Sequence, residues 1–436
     1  MAMVFYFFYS LLLFILLLIY GPFYLKRIKR GGKYKPDLLK RFGFFLPKPQ
    51  SKKGVRILIH SVSVGETRAV IPIINELKRR CPGSEIYLTT TTGSGQNTAE
   101  QIGKNLDNIL YFPVDFGYIC SSFLRRIRPD CICLTETELW PNFIRSASRY
   151  KMPLVLINGR ISDKSFRNYG FVRPFVRSIL AKFDTLCMQS VLDAGRIVAL
   201  GAEHDKVKVT GNIKFELGHL TIKEEECAML RNRLGLYENQ PVLVAGSTHP
   251  GEEKTILESF KRLLAEYPGL VLILAPRHVE RSEDIAKIVR EAGLKSIFWS
   301  RLSGSDRMKE GEILQIDVIG LLVKIYSLAT IVIIGGSFVP HGGQNPLEPA
   351  FLGKPVIFGP HMENFRSISS MLMDKKAAVM VQENDLFRIL SELLKDKERR
   401  EKMGRAARGV IDANKGAVNR TCDEILGVIR GINVRN

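Results

Sequence analysis

The sequence predicts an α/β protein of two Rossmann-like domains facing each other across a cleft, behind an N-terminal apolar helix. Three observations carry this. Short β-branched runs alternate with longer amphipathic stretches along the body, the pattern of parallel sheets with crossover helices. The alternation occurs twice, separated by the charged, strand-poor stretch Thr221–Gln240. Residues 4–25 contain no charged side chain. At 436 residues the chain has the length for two cores.

The first element is the apolar run Val4–Leu25, interrupted only by Ser10, Gly21 and Pro22. As a helix it would extend roughly 33 Å, enough for a bilayer core. No basic stretch precedes it and no small-x-small site follows, which argues against a cleaved signal peptide. Lys26, Arg27, Lys29, Arg30, Lys33 and Lys35 come next. Such a cluster stays on the cytoplasmic side and attracts anionic headgroups. Residues 1–30 are therefore expected to form a membrane anchor, with the bulk of the chain on the cytoplasmic side. The anchor is single-pass, or interfacial if Gly21-Pro22 bends the helix out of the bilayer.

In the first domain, residues 31–215, strands are expected near Val55–His60, Glu85–Thr89, Ile109–Phe112, Cys131–Leu134, Leu154–Ile157, Thr185–Met188 and Val207–Thr210, with helices such as Thr67–Arg80 between them. The boundary falls within Asn212–Asn239. The second domain, 216–436, repeats the scheme with Val242–Ala245, Val271–Ala275, Ile313–Ile316, Ile331–Ile334 and Val356–Phe358. A last helix, Lys397–Val410 or the one ending the chain, could cross back to the first domain.

Charge and cysteines narrow the function. With 64 Lys+Arg against 44 Asp+Glu, the net charge of +20 calls for an acidic partner. No RNA-binding signature with interleaved aromatics accompanies it, which sets nucleic acid behind anionic lipid or a phosphorylated substrate. The seven cysteines show no paired spacing and no C-x-x-C, which favours a reducing compartment without structural zinc.

Ligands of open α/β sheets bind beyond the carboxyl ends of the strands. The first strand leads to Glu66 at a helix start, where a carboxylate either removes a proton from a hydroxyl or satisfies the helix dipole. Thr135-Glu136-Thr137-Glu138 ends another strand. Two acids there suggest a polar site, or one cap and one solvated acid, and for Glu138 the latter is preferred. A metal-binding reading is set aside because no further His or Asp ligands stand at useful spacing. Arg160, Lys164, Arg167 and Arg173 suit a phosphorylated acceptor or form a solvated basic face. Lys214 follows Gly211-Asn212-Ile213 and could offset donor charge.

In the second domain Ser247-Thr248-His249 precedes Glu252-Glu253 as capping hydroxyls at a helix start. Arg277 follows a strand and could hold a nucleotide phosphate or base edge. Asp317-Val318-Ile319-Gly320 offers further turn amides. The richest stretch is Ile331–Pro360. There a strand empties through Gly335-Gly336-Ser337, a second pair Gly342-Gly343 follows, and Gln344-Asn345-Pro346-Leu347-Glu348 opens a helix. This arrangement is expected to present free amides to an anion, with Glu348 able to accept from ribose hydroxyls. His341 and His361 receive no role.

Together, HSVSVGE (His60–Glu66), TETELWPN (Thr135–Asn142), NGRIS (Asn158–Ser162), VTGNIKF (Val209–Phe215), GSTHPGEE (Gly246–Glu253), PRHVER (Pro276–Arg281) and GGQNPLEPA (Gly342–Ala350) resemble the 3-deoxy-D-manno-octulosonic acid (Kdo) transferases of lipopolysaccharide synthesis. The resemblance covers nearly the whole chain after the apolar run. It implies a GT-B fold and inverting transfer of Kdo from CMP-Kdo to lipid IVA, a lipid A precursor. It further implies Glu66 as general base, with Glu136 and Lys214 stabilising the transition state. Pro276 and Arg277, the turn Ile319, Gly320 and Leu321, and the helix start Asn345, Pro346, Leu347 and Glu348 would hold CMP. No cofactor and no obligatory metal are implied. The competing readings are a GT-B transferase or epimerase using a UDP-sugar, and a membrane-anchored nucleotide-binding scaffold without chemistry.

Overall fold

The computed structural model describes residues 2–29, 40–43, 54–217, 220, 222–302, 307–309 and 311–433. The chain forms two units, Met1–Glu216 with Lys415–Asn436, and Leu217–Asn414. Each is built on a seven-stranded sheet whose neighbouring strands all run parallel.

In the first unit the strands are β1 (Arg56–Ser61), β2 (Glu85–Thr90), β3 (Asn108–Tyr111), β4 (Cys131–Thr135), β5 (Leu154–Gly159), β6 (Thr185–Met188) and β7 (Val207–Val209), ordered β3-β2-β1-β4-β5-β6-β7. Parallel strands are covered on both faces, which is why their sequences read as continuous apolar runs rather than alternating ones. On one face Leu58, Leu134 and Leu156 pack with Phe112, Phe123 and Phe143. On the other, Ile57, Ile59 and Cys133 meet Val70 and Ile74, together with Val418, Cys422 and Ile425 from the final helix Ala417–Asn433. The last helix thus belongs to the first unit. All seven cysteines are free, and Cys131, Cys133, Cys187 and Cys422 are core side chains.

The second unit carries β8 (Val242–Thr248), β9 (Val271–Pro276), β10 (Lys295–Phe298), β11 (Glu312–Gln315), β12 (Ile331–Ile334), β13 (Val356–Phe358) and β14 (Ala378–Met380). Their order is β10-β11-β9-β8-β12-β13-β14. The two strands absent from the sequence expectation, β10 and β14, are the two edges of this sheet. An edge strand packs fewer neighbours and needs no long apolar run. Beside the first strand of each sheet the winding reverses, between β1 and β4 in the first and between β8 and β12 in the second. A crevice opens at such a point.

The N-terminal helix, Ala2–Lys29, leaves the expected single-pass anchor unconfirmed. Among the described residues no helix is long and apolar enough to cross a membrane, so a single-pass anchor finds no support. One face of the helix instead docks on the first unit. Phe5 and Tyr6 pack on Phe175 at ring distances of 5.5 and 5.3 Å. Tyr9 Oη donates to Asp115 at 2.9 Å, and Asn142 Nδ2 donates to Ser10 Oγ at 3.1 Å. The face turned away from these contacts leaves Val4, Phe7, Phe8 and Leu11 exposed, and farther along the helix Leu12, Phe14, Ile15, Leu16, Leu18, Ile19 and Tyr20 are exposed on all sides. Of the basic flank, Arg30, Lys33 and Lys35 lie outside the described residues.

Candidate active site

At the β1–β4 reversal, Glu66 sits in the first turn of the helix Val64–Arg80, whose N-cap is Ser63. Ser63 Oγ donates to Glu66 Oε1 at 2.9 Å. Val62 N donates to Oε2 at 2.8 Å and Thr135 Oγ1 to the same oxygen at 3.0 Å. The carboxylate therefore fulfils both sequence readings: it joins the cap of its own helix, and it is fixed across to the end of β4 while remaining half-exposed. Four residues of β1 and β4 pair in register as far as His60 and Leu134, which brings the two strand ends together.

Glu136 follows directly, in a left-handed backbone conformation (φ 51°). A non-glycine residue there costs about 1–2 kcal/mol, and such strain concentrates at functional sites. Its amide donates to Ile157 O at 2.9 Å, and Lys214 Nζ pairs with its Oε1 at 2.7 Å. Both partners are mostly buried, 18% and 25% exposed, so solvent screens this pair less than a surface one. The turn carrying Lys214 is held by residues that the sequence reading passed over. Asn158, also left-handed (φ 54°), accepts from Ile213 N at 3.1 Å through Oδ1. Gln189 donates to Asn158 O and accepts from Asn212 Nδ2, each at 3.0 Å.

Glu138 departs from the expected solvated or capping acid. Burial, then the negative charges of Glu66 and Glu136, raise its carboxyl to about 7. The N-terminus of the next helix, Pro141–Arg149, is instead capped by the buried Asp115, which accepts from Asn142 N at 3.1 Å and Phe143 N at 2.7 Å. Lys164, Arg167 and Arg173 are solvent-exposed and Arg160 is partly buried.

The glycine loop of the second unit overturns a central expectation. Gly335-Gly336-Ser337 offers no free amides: Gly335 N donates to Gly246 O at 2.8 Å, and Glu252 takes the other two. Its fully buried carboxylate accepts from Gly336 N at 2.7 Å, Ser337 N and Phe338 N at 2.9 Å, and His249 N at 2.8 Å. Convergent amides attract an anion, and here the anion is the protein's own side chain. Burial pushes its pKa up against the four amide bonds that favour the carboxylate. Gly335 could be no other residue, since a Cβ would lie 2.3 Å from Ser247 O.

The remaining residues expected at a nucleotide site all lie beyond carboxyl ends of this sheet. Pro276 is buried at the end of β9, and Arg277 follows with its side chain exposed and its amide donating to Thr248 O at 3.0 Å. Ile319, 86% exposed, Gly320 (φ 91°) and Leu321 form a turn after β11. Pro346 precedes a helix of five residues, Leu347–Phe351. Asn345 Oδ1 accepts from Leu347 N at 3.0 Å, and Asn345 Nδ2 donates to Glu348 Oε1 at 3.2 Å. Among the described residues no three His, Cys, Asp or Glu side chains are grouped to hold a metal ion.

Residues 37–217 match the model of the 3-deoxy-D-manno-octulosonic-acid transferase (kdotransferase) family. The 3-deoxy-D-manno-octulosonic acid transferase of Haemophilus influenzae is 33% identical, across 90% of this chain and 92% of its own. That of Chlamydia pneumoniae is 29% identical, across 95% and 94%. A UDP-GlcNAc 2-epimerase from Neisseria meningitidis superposes with a TM-score of 0.57 over 86% of this chain and all of its own, at 15% identity, a likeness of fold alone. With one third of its residues shared across nearly the full length of such a relative, this chain belongs to the Kdo transferase family.

Proposed function

We propose that this Kdo transferase carries out inverting transfer from CMP-Kdo to a hydroxyl of a lipid A precursor, lipid IVA, with Glu66 as the general base. The observation that carries the reading is the pairing of a half-exposed, three-donor carboxylate at the end of β1 with the Glu136–Lys214 ion pair at the adjoining strand end. A base must be held in orientation yet open on one side to receive the acceptor proton. The anomeric carbon gains positive character as the donor bond breaks, which nearby carboxylates favour. The departing cytidylate gains negative charge, which a basic side chain offsets; Lys214 in the first unit is given that role. Pro276, Arg277, the turn Ile319–Leu321 and Asn345–Glu348 would hold CMP, with side chains supplying the contacts that the Glu252-filled loop does not.

The second part of the proposal concerns the membrane. The apolar face Val4–Tyr20, exposed on a helix docked to the first unit, is read as lying in the headgroup region of the inner membrane. The exposed Phe171 and the basic Lys164, Arg167 and Arg173 stand in the neighbouring helices, which suits an anionic phosphorylated acceptor. Titrating the protein with CMP and with UDP tests the donor: preference for CMP is expected, and preference for UDP would displace this reading in favour of a UDP-sugar enzyme.

A further inference from the structure

His249 directly follows the strand β8 of the second unit, one residue past Thr248 and two past Ser247, whose backbone is left-handed (φ 59°). It stands at the β8–β12 reversal, where open sheets hold their ligands. Its ring stacks on His341 at 4.3 Å and meets His278 edge-on at 6.1 Å. It also covers Gly336: a Cβ there would lie 3.1 Å from His249 Cδ2. Three segments, following β8, β9 and β12, thus place their histidines together.

One contact bears on the tautomer. Gln344 Nε2 lies 3.1 Å from His249 Nε2. With the Gln344 amide nitrogen assigned as the donor, His249 Nε2 accepts and the ring proton resides on Nδ1. Among the described residues Nδ1–H has no hydrogen-bond partner. The imidazole is held neutral, its pKa lowered to about 4 by burial and then by His341, His278, Arg277 and Arg281. A half-buried ring has therefore been oriented, from two sides, with one unused donor beside a cationic edge. The neighbouring loop amides are unavailable, being taken by Glu252.

We propose that His249 is a further donor-binding residue, whose Nδ1–H donates to the phosphate of the cytidylate donor while Gln344 and His341 hold the ring. This rests on the reading that the second unit binds CMP-Kdo. The same geometry explains why a glycine loop filled by a carboxylate can lie beside a phosphate: the donors come from side chains on its rim.

The test is calorimetric titration of the full chain with CMP and with cytidine. Wild-type protein is expected to bind CMP more tightly than cytidine. His249→Ala should weaken CMP about ten- to a hundredfold, as for a lost hydrogen bond to a charged group, and leave cytidine unchanged. His249→Asn, whose amide nitrogen falls near the Nδ1 position, should recover most of the CMP affinity, and His249→Gln, which reaches the Nε2 position, should not. Unchanged CMP binding by His249→Ala, or equal losses for CMP and cytidine, would overturn the proposal alone. Wild-type protein that ignores CMP would overturn the donor assignment and this proposal with it.

Discussion

A carboxylate that accepts three hydrogen bonds is fixed in space, and Glu66 uses one donor from its own cap, one from the preceding backbone and one from β4. Lys214 is placed with comparable care, its ammonium on Glu136 and its turn on Asn158. Replacing Lys214 by Ala leaves Glu136 without its ion-pair partner. We expect a fall in kcat of about a hundredfold or more, measured in a single-turnover assay at saturating donor, with CMP affinity little changed. Glu138 provides a test by pH. Its folded carboxyl is raised to about 7 from an ordinary 4.5. The stability it contributes is therefore full below the ordinary range and is lost as pH rises through 7. Glu138→Gln, neutral throughout, should gain up to about 3 kcal/mol over wild type at pH 8 relative to pH 5. Thermal melts at the two pH values check this, and an equal difference at both would contradict it. Glu66 and Glu136 could be placed beyond strand ends because each follows an apolar run. The strand leading to Lys214 instead reads Val-Lys-Val and is partly exposed, and the roles of all three rest on the proposal above. Asn158 and Gln189 were not legible, because their partners lie 55 and 23 residues away in sequence.

At the scale of elements, each sheet has one reversal beside its first strand, and the polar side chains gather there, although in the second sheet β11 turns back between β9 and β10. The central strands were readable from their apolar runs. The edges β10 and β14 were not, since Lys295-Ser-Ile-Phe and Ala378-Val-Met carry little pattern. The glycine loop teaches the harder lesson. Glycines before a helix start read as an anion site, and the physics was right, but the anion comes from Glu252, 84 residues upstream of Gly336. Glu252→Ala would leave buried amides of Gly336, Ser337 and Phe338 unpaired, at about 1–3 kcal/mol each. We expect a melting temperature lower by ten degrees or more, or failure to fold. Glu252→Gln, which keeps one acceptor oxygen and the side-chain volume, should lie between that variant and wild type in denaturant titration.

For the whole molecule, the proposed contact with an anionic membrane surface rests on the net charge of +20 and on the exposed apolar face of the N-terminal helix. Phe7 and Leu11 lie on that face, away from Tyr6, Tyr9 and Ser10, which dock the helix. Phe7→Asp with Leu11→Asp should reduce sedimentation with anionic vesicles severalfold, and the remainder should weaken as salt rises. CMP binding should be unaffected, and unchanged sedimentation would remove the helix from the membrane account. The chemistry itself is tested most directly by the mass of the product. Wild-type protein incubated with CMP-Kdo and lipid IVA should yield lipid IVA heavier by one or more Kdo residues. Glu66→Gln should yield none on the same timescale while still binding CMP, whereas turnover by Glu66→Gln at the wild-type rate would contradict the account.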